Sequence, residues 1–203
     1  MAQFVHNLKI VIKTILVISV IGFISGTFYL YKDQGEKMAA NAESVPVKPD
    51  FDHSTHQQFI DNIRECVNYI YDTTTDITPV NLELLVAQAA LESAWGTSRF
   101  AVEGNNYFGI RTYDLREPHM LPWKDKPKKW GVKVFEHECD SILHYTKTLN
   151  NHHAYQGYRQ MREEGIDNPY MLIETLDAYA SDKNYFAKIK SILTKIREDY
   201  KWH

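Results

Sequence analysis

Cysteine is scarce: 203 residues contain only Cys66 and Cys139, too few for a disulfide scaffold in a chain of this length. Excess positive charge is also absent. Lys and Arg total 23 against 26 Asp and Glu, a net charge of −3 and a pI near 6.3, so there is no electrostatic footprint for nucleic acid. Neither an HExxH nor a CxxC is present, and the nine histidines, His137, His144 and the pair His152-His153 among them, make no metal site by spacing. Internal repeats and low-complexity runs are lacking too. What is there, 44% hydrophobic and 24% charged residues, matches an ordinary globular composition and excludes wholesale disorder.

Charge is missing from one place in particular. Thr14 to Tyr31 is 18 residues without one charge. Adding Ile10 to Lys13, with Lys13 free to snorkel, gives a helix of roughly 33 Å, enough for a hydrocarbon core of about 30 Å. A cleavable signal has a shorter apolar stretch with small residues just beyond it. The nearest Ala-x-Ala pattern, Ala40 to Ala42, lies well past Tyr31, so a retained anchor is favoured over cleavage. Lys9 and Lys13 precede the span and no net charge of weight follows it. The positive-inside rule puts residues 1–9 in the cytoplasm, the span at 10–31 in the inner membrane, and the remainder outside. Residues 32–54 show no apolar period, contain Pro46 and Pro49, and read as a flexible tether with an r.m.s. reach of roughly 25–30 Å. Residues 55–203 are one domain, long enough for a core.

Within that domain Phe59, Ile60, Ile63, Val67 and Ile70 lie at helical spacing over 55–71. A second helix is expected over 79–95, with Thr78 as cap, Pro79 at its first position and Gly96 as its stop. It is apolar nearly all round, which marks it as buried. Residues 105–112 and 130–135 look extended and suit a small hairpin with a long, Pro-containing connection. Helical patterns follow at 138–150, 154–164, 169–179 and 182–200, with Asn168-Pro169 and Ser181-Asp182 as starts. The fold class is α+β, mainly α, with one small β-lobe.

Glu92 is the anomaly, an acid in the last turn of the buried helix. At 100° per residue Asn81, Gln88, Glu92 and Trp95 share one face. Burial and the negative end of the helix dipole both raise the pKa of Glu92, as a general acid for glycosidic cleavage requires. The alternative is a structural acid paired with Arg99 or Arg111. A second segment, 98–112, holds Gly104, Asn105, Asn106 and Gly109, which permit tight turns, around Tyr107 and Phe108. Its amides and aromatics suit a sugar ring, or a turn packed by core aromatics. A third, 177–185, places Tyr179 and Tyr185 about a helix junction capped by Ser181 or Asp182.

The run AQAALESAWGTSRFA, then GNNYFGIR, WGVKVFEH, NNHHAYQGYRQMR and YASDKNY, spanning most of 80–190, resembles the bacterial glucosaminidase family, family 73 of the glycoside hydrolases, and in particular its Bax-like members. The resemblance implies a lysozyme-like fold and cleavage of β-1,4 links in peptidoglycan as an endo-β-N-acetylglucosaminidase without a cofactor. It also implies Glu92 as general acid, Tyr179 beside it, and Asn106, Phe108 and Tyr185 shaping the sugar site. Gln88, Trp95, Tyr107 and Asp182 complete the candidate substrate contacts. Family members are often assigned a second carboxylate in the β-lobe. Asp114, Glu117 and Asp125 are available there, none in a matching motif. Glu117 is the one taken, with the substrate's 2-acetamido group as the other source of a nucleophile. A lytic transglycosylase and a non-catalytic wall-binding module are the competing functions.

Two features stay outside this scheme. Cys66 and Cys139 could bridge, but two separately buried thiols are the favoured arrangement. Trp123 and Trp130 flank Lys124, Lys126, Lys128 and Lys129, a basic patch suited to an anionic glycan or peptide stem, or simply a solvated loop.

Overall fold

The computed structural model describes residues 46–51, 54–122 and 129–202. The expected membrane span, most of the tether, Asp125 and the lysines at 124, 126 and 128 lie outside the described residues. Among the described residues no helix is long and apolar enough to cross a membrane.

The chain from Pro46 onward is one compact unit built around a single helix. Helix α1 runs His56–Thr73 and buries Phe59, Ile60, Ile63, Val67 and Ile70 on one face, the stripe its sequence period demands. Helix α2, Leu82–Ser93, is buried from Leu84 through Ala90 without a break. Ala87, Ala89 and Ala90 give it small surfaces that let neighbours approach. A short helix, α3 (Arg99–Gly104), leads into a three-stranded antiparallel sheet of β1 (Arg111–Thr112), β2 (His119–Met120) and β3 (Gly131–Lys133). Then come α4 (Glu138–Asn151), a 3-10 turn (His153–Tyr155), α5 (Gln156–Glu163), α6 (Pro169–Leu172), a second 3-10 turn (Ile173–Thr175) and α7 (Tyr185–Asp199). Helix α7 packs along α2, and α4 packs along α1. The result is the expected mainly helical α+β arrangement with a small sheet.

Four boundaries differ from the sequence expectation, each for a tertiary reason. First, α2 starts at Asn81 rather than Thr78-Pro79. The Asn81 side chain accepts from Leu84 N at 2.8 Å, while its amide nitrogen donates to the Asp167 backbone oxygen at 2.8 Å and side chain at 3.0 Å. Thr78 is held from outside, its N–H donating to Asn150 Oδ1 at 2.7 Å. Removing the Asn81 side chain (Asn81→Ala) is expected to cost about 1–2 kcal/mol, read as a lower urea midpoint with an unchanged slope.

Second, α2 ends at Ser93. Ala94, Trp95 and Gly96 all take positive φ, 52°, 59° and 81°, a reversal that L residues adopt only where packing holds them. Trp95 supplies the packing. Its ring stacks on His56 at 4.0 Å and meets Phe59 edge-on at 5.8 Å. Trp95 has left the helix and faces α1, so it does not continue the face of Glu92.

Third, the expected pairing of 105–112 with 130–135 is present as β1 with β3, Arg111 opposite Val132. The connection is not merely irregular, for it contributes β2 to the far edge of β3, in the order β1-β3-β2. Gly131 is required there, because a Cβ would lie 2.4 Å from the His119 ring. Fourth, the expected helix over 169–179 stops by Thr175, and α7 begins at Tyr185 rather than 182. Tyr179 therefore lies in a linking turn, its N–H donating to Leu176 O at 3.0 Å.

Cys66 and Cys139 are joined by a disulfide, Cα to Cα 5.2 Å, which corrects the expectation of separate thiols. Both sit on the buried faces of α1 and α4, and packing of those two helices brings the sulfurs together. At the N-terminal edge, part of the expected tether lies on the domain. Lys48 Nζ donates to Asp140 Oδ1 at 2.8 Å, and the Phe51 ring approaches Tyr107 at 5.5 Å.

Candidate active site

Three segments separate in sequence meet at the C-terminal end of α2. Glu92 is half-buried in its last turn. The loop after α3 passes alongside, and a Cβ on Gly109 (φ 62°) would stand 4.0 Å from Glu92 Oε2. The turn before α7 brings Tyr179 and Tyr185, whose rings stack at 5.7 Å. The Tyr179 hydroxyl donates to Phe108 O at 3.4 Å. Phe108 in turn lies flat on Tyr145 of α4 at 4.2 Å.

The electrostatics follow from what surrounds the carboxyl. Burial pushes the pKa of Glu92 up, and the Tyr185 hydroxyl, within hydrogen-bonding reach, pulls it part of the way back. No cation pairs with Glu92 among the described residues. Arg99 is engaged with Glu103 at 3.6 Å, and the Arg111 guanidinium lies over the Trp130 ring at 4.1 Å. The structural pairing of Glu92 with either arginine is therefore not what the fold builds. Burial also holds the Tyr145, Tyr179 and Tyr185 phenols well above their ordinary value, with Glu92 adding to the rise for Tyr179 and Tyr185. All three stay protonated through neutrality. The arrangement is a carboxyl of raised pKa beside neutral phenols, suited to giving up a proton to an oxygen in the cleft.

Several candidates for substrate contact turn out to be supports. Gln88 is 0% exposed. Its Nε2 donates to the Tyr185 hydroxyl at 2.8 Å and its Oε1 accepts from the Tyr145 hydroxyl, beneath the surface a sugar could reach. Asn106 is 1% exposed. Its Nδ2 donates to Lys133 O at 2.7 Å and Ile110 O at 2.9 Å, and its Oδ1 accepts from Ile110 N at 3.0 Å. It ties the loop to β3. Tyr107 is core, edge-on to Phe59 at 5.6 Å. Phe108 is buried against Tyr145, and Trp95 belongs to the α1 contact. Asp182 is exposed and bonded to Lys188 Nζ at 2.6 Å and Asn184 N at 2.9 Å.

In the β-lobe Glu117 Oε2 accepts from Thr112 Oγ1 at 2.8 Å and Lys133 Nζ at 3.2 Å. These bonds hold its carboxyl below the usual range, so it is an ionised carboxylate at neutral pH. Asp114 is clamped by Arg116 at 2.6 and 2.8 Å. Cys66, His137 and Cys139 put ligand atoms within 4.8 Å of one another, but the two sulfurs are bonded to each other and offer no thiolate. A cavity of about 290 Å³ opens at the other end of α2, between Pro79, Tyr158, Arg159 and Arg162. Its arginines are spent on the fold: Arg162 binds Pro79 O and Asp167, and Arg159 binds Leu149 O and His152 O.

Tyr145 is the residue that sequence reasoning missed. With Ile142 and Leu149 it reads as one more apolar position of α4, and only its tertiary bond to Gln88 sets it apart.

Residues 69–198 match the glucosaminidase family model, described as mannosyl-glycoprotein endo-beta-N-acetylglucosaminidase. A Streptococcus pneumoniae protein named as an endo-beta-N-acetylglucosaminidase is 32% identical over 119 residues, 59% of this chain and 15% of the relative. Protein bax of Escherichia coli is 35% identical over 89 residues, 44% of this chain and 30% of the relative. The chain spans from 14% to 51% of the length of four curated relatives it matches. The catalytic domain of the autolysin Auto from Listeria monocytogenes shares the fold, with a TM-score of 0.53 and 23% identity, covering 83% of this chain and 94% of that one. The family match, running from α1 through α7 and enclosing Glu92, Tyr179 and Tyr185, establishes that the chain belongs to the glucosaminidase family of glycoside hydrolases.

Proposed function

We propose that this protein hydrolyses the β-1,4 bond after N-acetylglucosamine in peptidoglycan strands, with Glu92 as general acid. The observation that carries this reading is the state of Glu92: a half-buried carboxyl, raised in pKa, with a phenol and, among the described residues, no cation for its partner. Family membership supplies the reaction class. Glu92 protonates the leaving glycosidic oxygen, and departure leaves an oxocarbenium-like sugar. The protonated Tyr179, beside Glu92 and stacked on Tyr185, gives its proton to Phe108 O, which leaves its oxygen lone pairs for that positive centre. Glu117, ionised and fixed by Thr112 and Lys133, is the carboxylate assigned to water or to the sugar carbon. The 2-acetamido group of the substrate is the alternative nucleophile.

The location of the work belongs to the same proposal. Residues 10–31 anchor the chain in the cytoplasmic membrane, and the domain acts outside on wall within the reach of its tether. The disulfide supports an oxidising compartment, where such bonds persist.

Digestion of purified peptidoglycan by the full chain in detergent, followed by borohydride reduction and mass analysis, tests the activity. Reduced N-acetylglucosamine ends are expected. Anhydro-muramyl ends would instead establish a lytic transglycosylase, and sedimentation with the wall without any product would establish a binding module.

A further inference from the structure

We propose that Tyr145 and Gln88 are positioning residues that fix which way the Tyr185 hydroxyl points its proton, so that Tyr185 serves Glu92 only as a donor. The inference rests on Glu92 being the general acid and deepens that reading.

The argument is one of donor and acceptor count. A glutamine side chain has one accepting and one donating end, and a phenol has one proton to give. Gln88 is fully buried between two phenols, Tyr145 on α4 and Tyr185 at the start of α7. The Tyr145 hydroxyl is itself buried, and Gln88 Oε1 is its one hydrogen-bond acceptor among the described residues. Turning the amide over would present N–H to Tyr145 and leave the Tyr145 proton with no acceptor, an arrangement that buried polar groups avoid. Tyr145 therefore locks the amide with its Nε2 toward Tyr185, at 2.8 Å. Tyr185 now receives a hydrogen bond from Gln88 and cannot return one. Its own proton is left for Glu92, which follows Gln88 by one turn on the same face of α2 and interacts with the Tyr185 hydroxyl.

That direction matters chemically. A donated bond favours the ionised carboxyl, so it opposes the rise that burial causes at Glu92. An acid that protonates the leaving group and is then recharged must lose its proton as well as hold it. Burial supplies the holding and the Tyr145–Gln88–Tyr185 chain supplies the release. Among the described residues, everything else facing Glu92 is neutral at working pH. Tyr185 and Tyr179 come from the turn before α7, and Gly109 presents only backbone. Tyr155 from the first 3-10 turn stands beside Tyr179 at 6.4 Å. Among the described residues no Lys, Arg, His or Asp contributes to the shift at Glu92, so a change in the basic limb of the rate profile reports this carboxyl.

The test is the pH profile of kcat for the full chain on soluble peptidoglycan fragments, with Tyr145→Phe and Gln88→Leu compared with wild type. Without the Tyr145 hydroxyl the amide is free to turn, Tyr185 can donate to Gln88 instead, and Glu92 loses its donor. The basic limb is expected to move up by about half a pH unit or more in Tyr145→Phe and to stay near wild type in Gln88→Leu, where no amide remains to take the Tyr185 proton from Glu92, with KM nearly unchanged because neither residue touches substrate. Tyr185→Phe, which removes the donor outright, is expected to move the limb at least as far as Tyr145→Phe. Melting temperatures measured alongside separate loss of fold from loss of positioning, and a purely structural role would lower them without moving the limb. An unmoved limb in folded Tyr145→Phe, or a limb that moves as far up in Gln88→Leu as in Tyr185→Phe, overturns the proposal. Activity surviving in Glu92→Gln overturns the underlying assignment, so the two failures are distinguishable.

Discussion

Glu92→Gln is expected to lower kcat on peptidoglycan by about a thousandfold, within the range of roughly 10²–10⁴ that a general acid contributes, while the fold stays intact. The amide is nearly isosteric, has no transferable proton, and meets the same neighbours: the Tyr185 hydroxyl and the Gly109 backbone. Stability separates this from a structural explanation. Burial raises the pKa of Glu92 in the folded state above its unfolded value, so the folded protein holds the proton more tightly than the unfolded chain. As pH rises past the unfolded value, near 4.3, ionising Glu92 penalises the folded state increasingly, and the penalty levels off above the folded pKa. Glutamine carries no such penalty. The variant is therefore expected to match wild type in melting temperature at acid pH and to exceed it at pH 8. A carboxylate locked by an arginine would give the opposite sign, the variant being less stable at neutral pH.

Removing the disulfide is expected to have the largest effect on stability. Cys66 and Cys139 close a segment with a sequence separation of 73, and loop-closure entropy alone assigns such a bridge about 4 kcal/mol. That is a large share of the roughly 5–15 kcal/mol that holds a domain together. The bridge joins α1 to α4. Helix α1 carries Phe59, which contacts both Trp95 and Tyr107, while α4 carries Tyr145. Losing it therefore loosens both sides of the site. Urea unfolding of Cys66→Ser/Cys139→Ser, or of wild type with reductant, is expected to show a midpoint well below that of the oxidised protein. Coincident transitions would show that the helix contacts alone suffice.

The parts legible in the sequence were those carried by local pattern. The stripe from Phe59 to Ile70 gave α1, and the unbroken apolar run from Leu84 to Ala90 gave the buried helix. Glu92 stood out against that run because an acid there needs a reason. What escaped was decided by distant partners. Thr78-Pro79 is a sound local start for α2, yet Asn81 wins because Asp167 and Tyr158 meet it from the far end of the chain. A helical wheel puts Trp95 beside Glu92, but three positive φ values swing it onto His56. Gln88 has the right face for a substrate contact and the wrong depth, with two phenols already on it. Strand β2 spans only His119–Met120, too short for any period to show, and the disulfide depends on how α1 and α4 dock. Burial and hydrogen-bond direction, the two properties that separate a contact from a support, belong to the packed molecule.

The most direct test of the central claim is the titration of Glu92 itself, by carbon-13 NMR of the full chain labelled at glutamate side-chain carboxyls, with Glu92→Gln identifying the resonance. The claim is that burial beside neutral phenols, without a cation, keeps this carboxyl an acid. The predicted result is a midpoint above the ordinary glutamate value of about 4.3, moving further up in Tyr185→Phe. A midpoint at or below that value, unmoved by loss of the Tyr185 hydroxyl, would contradict it.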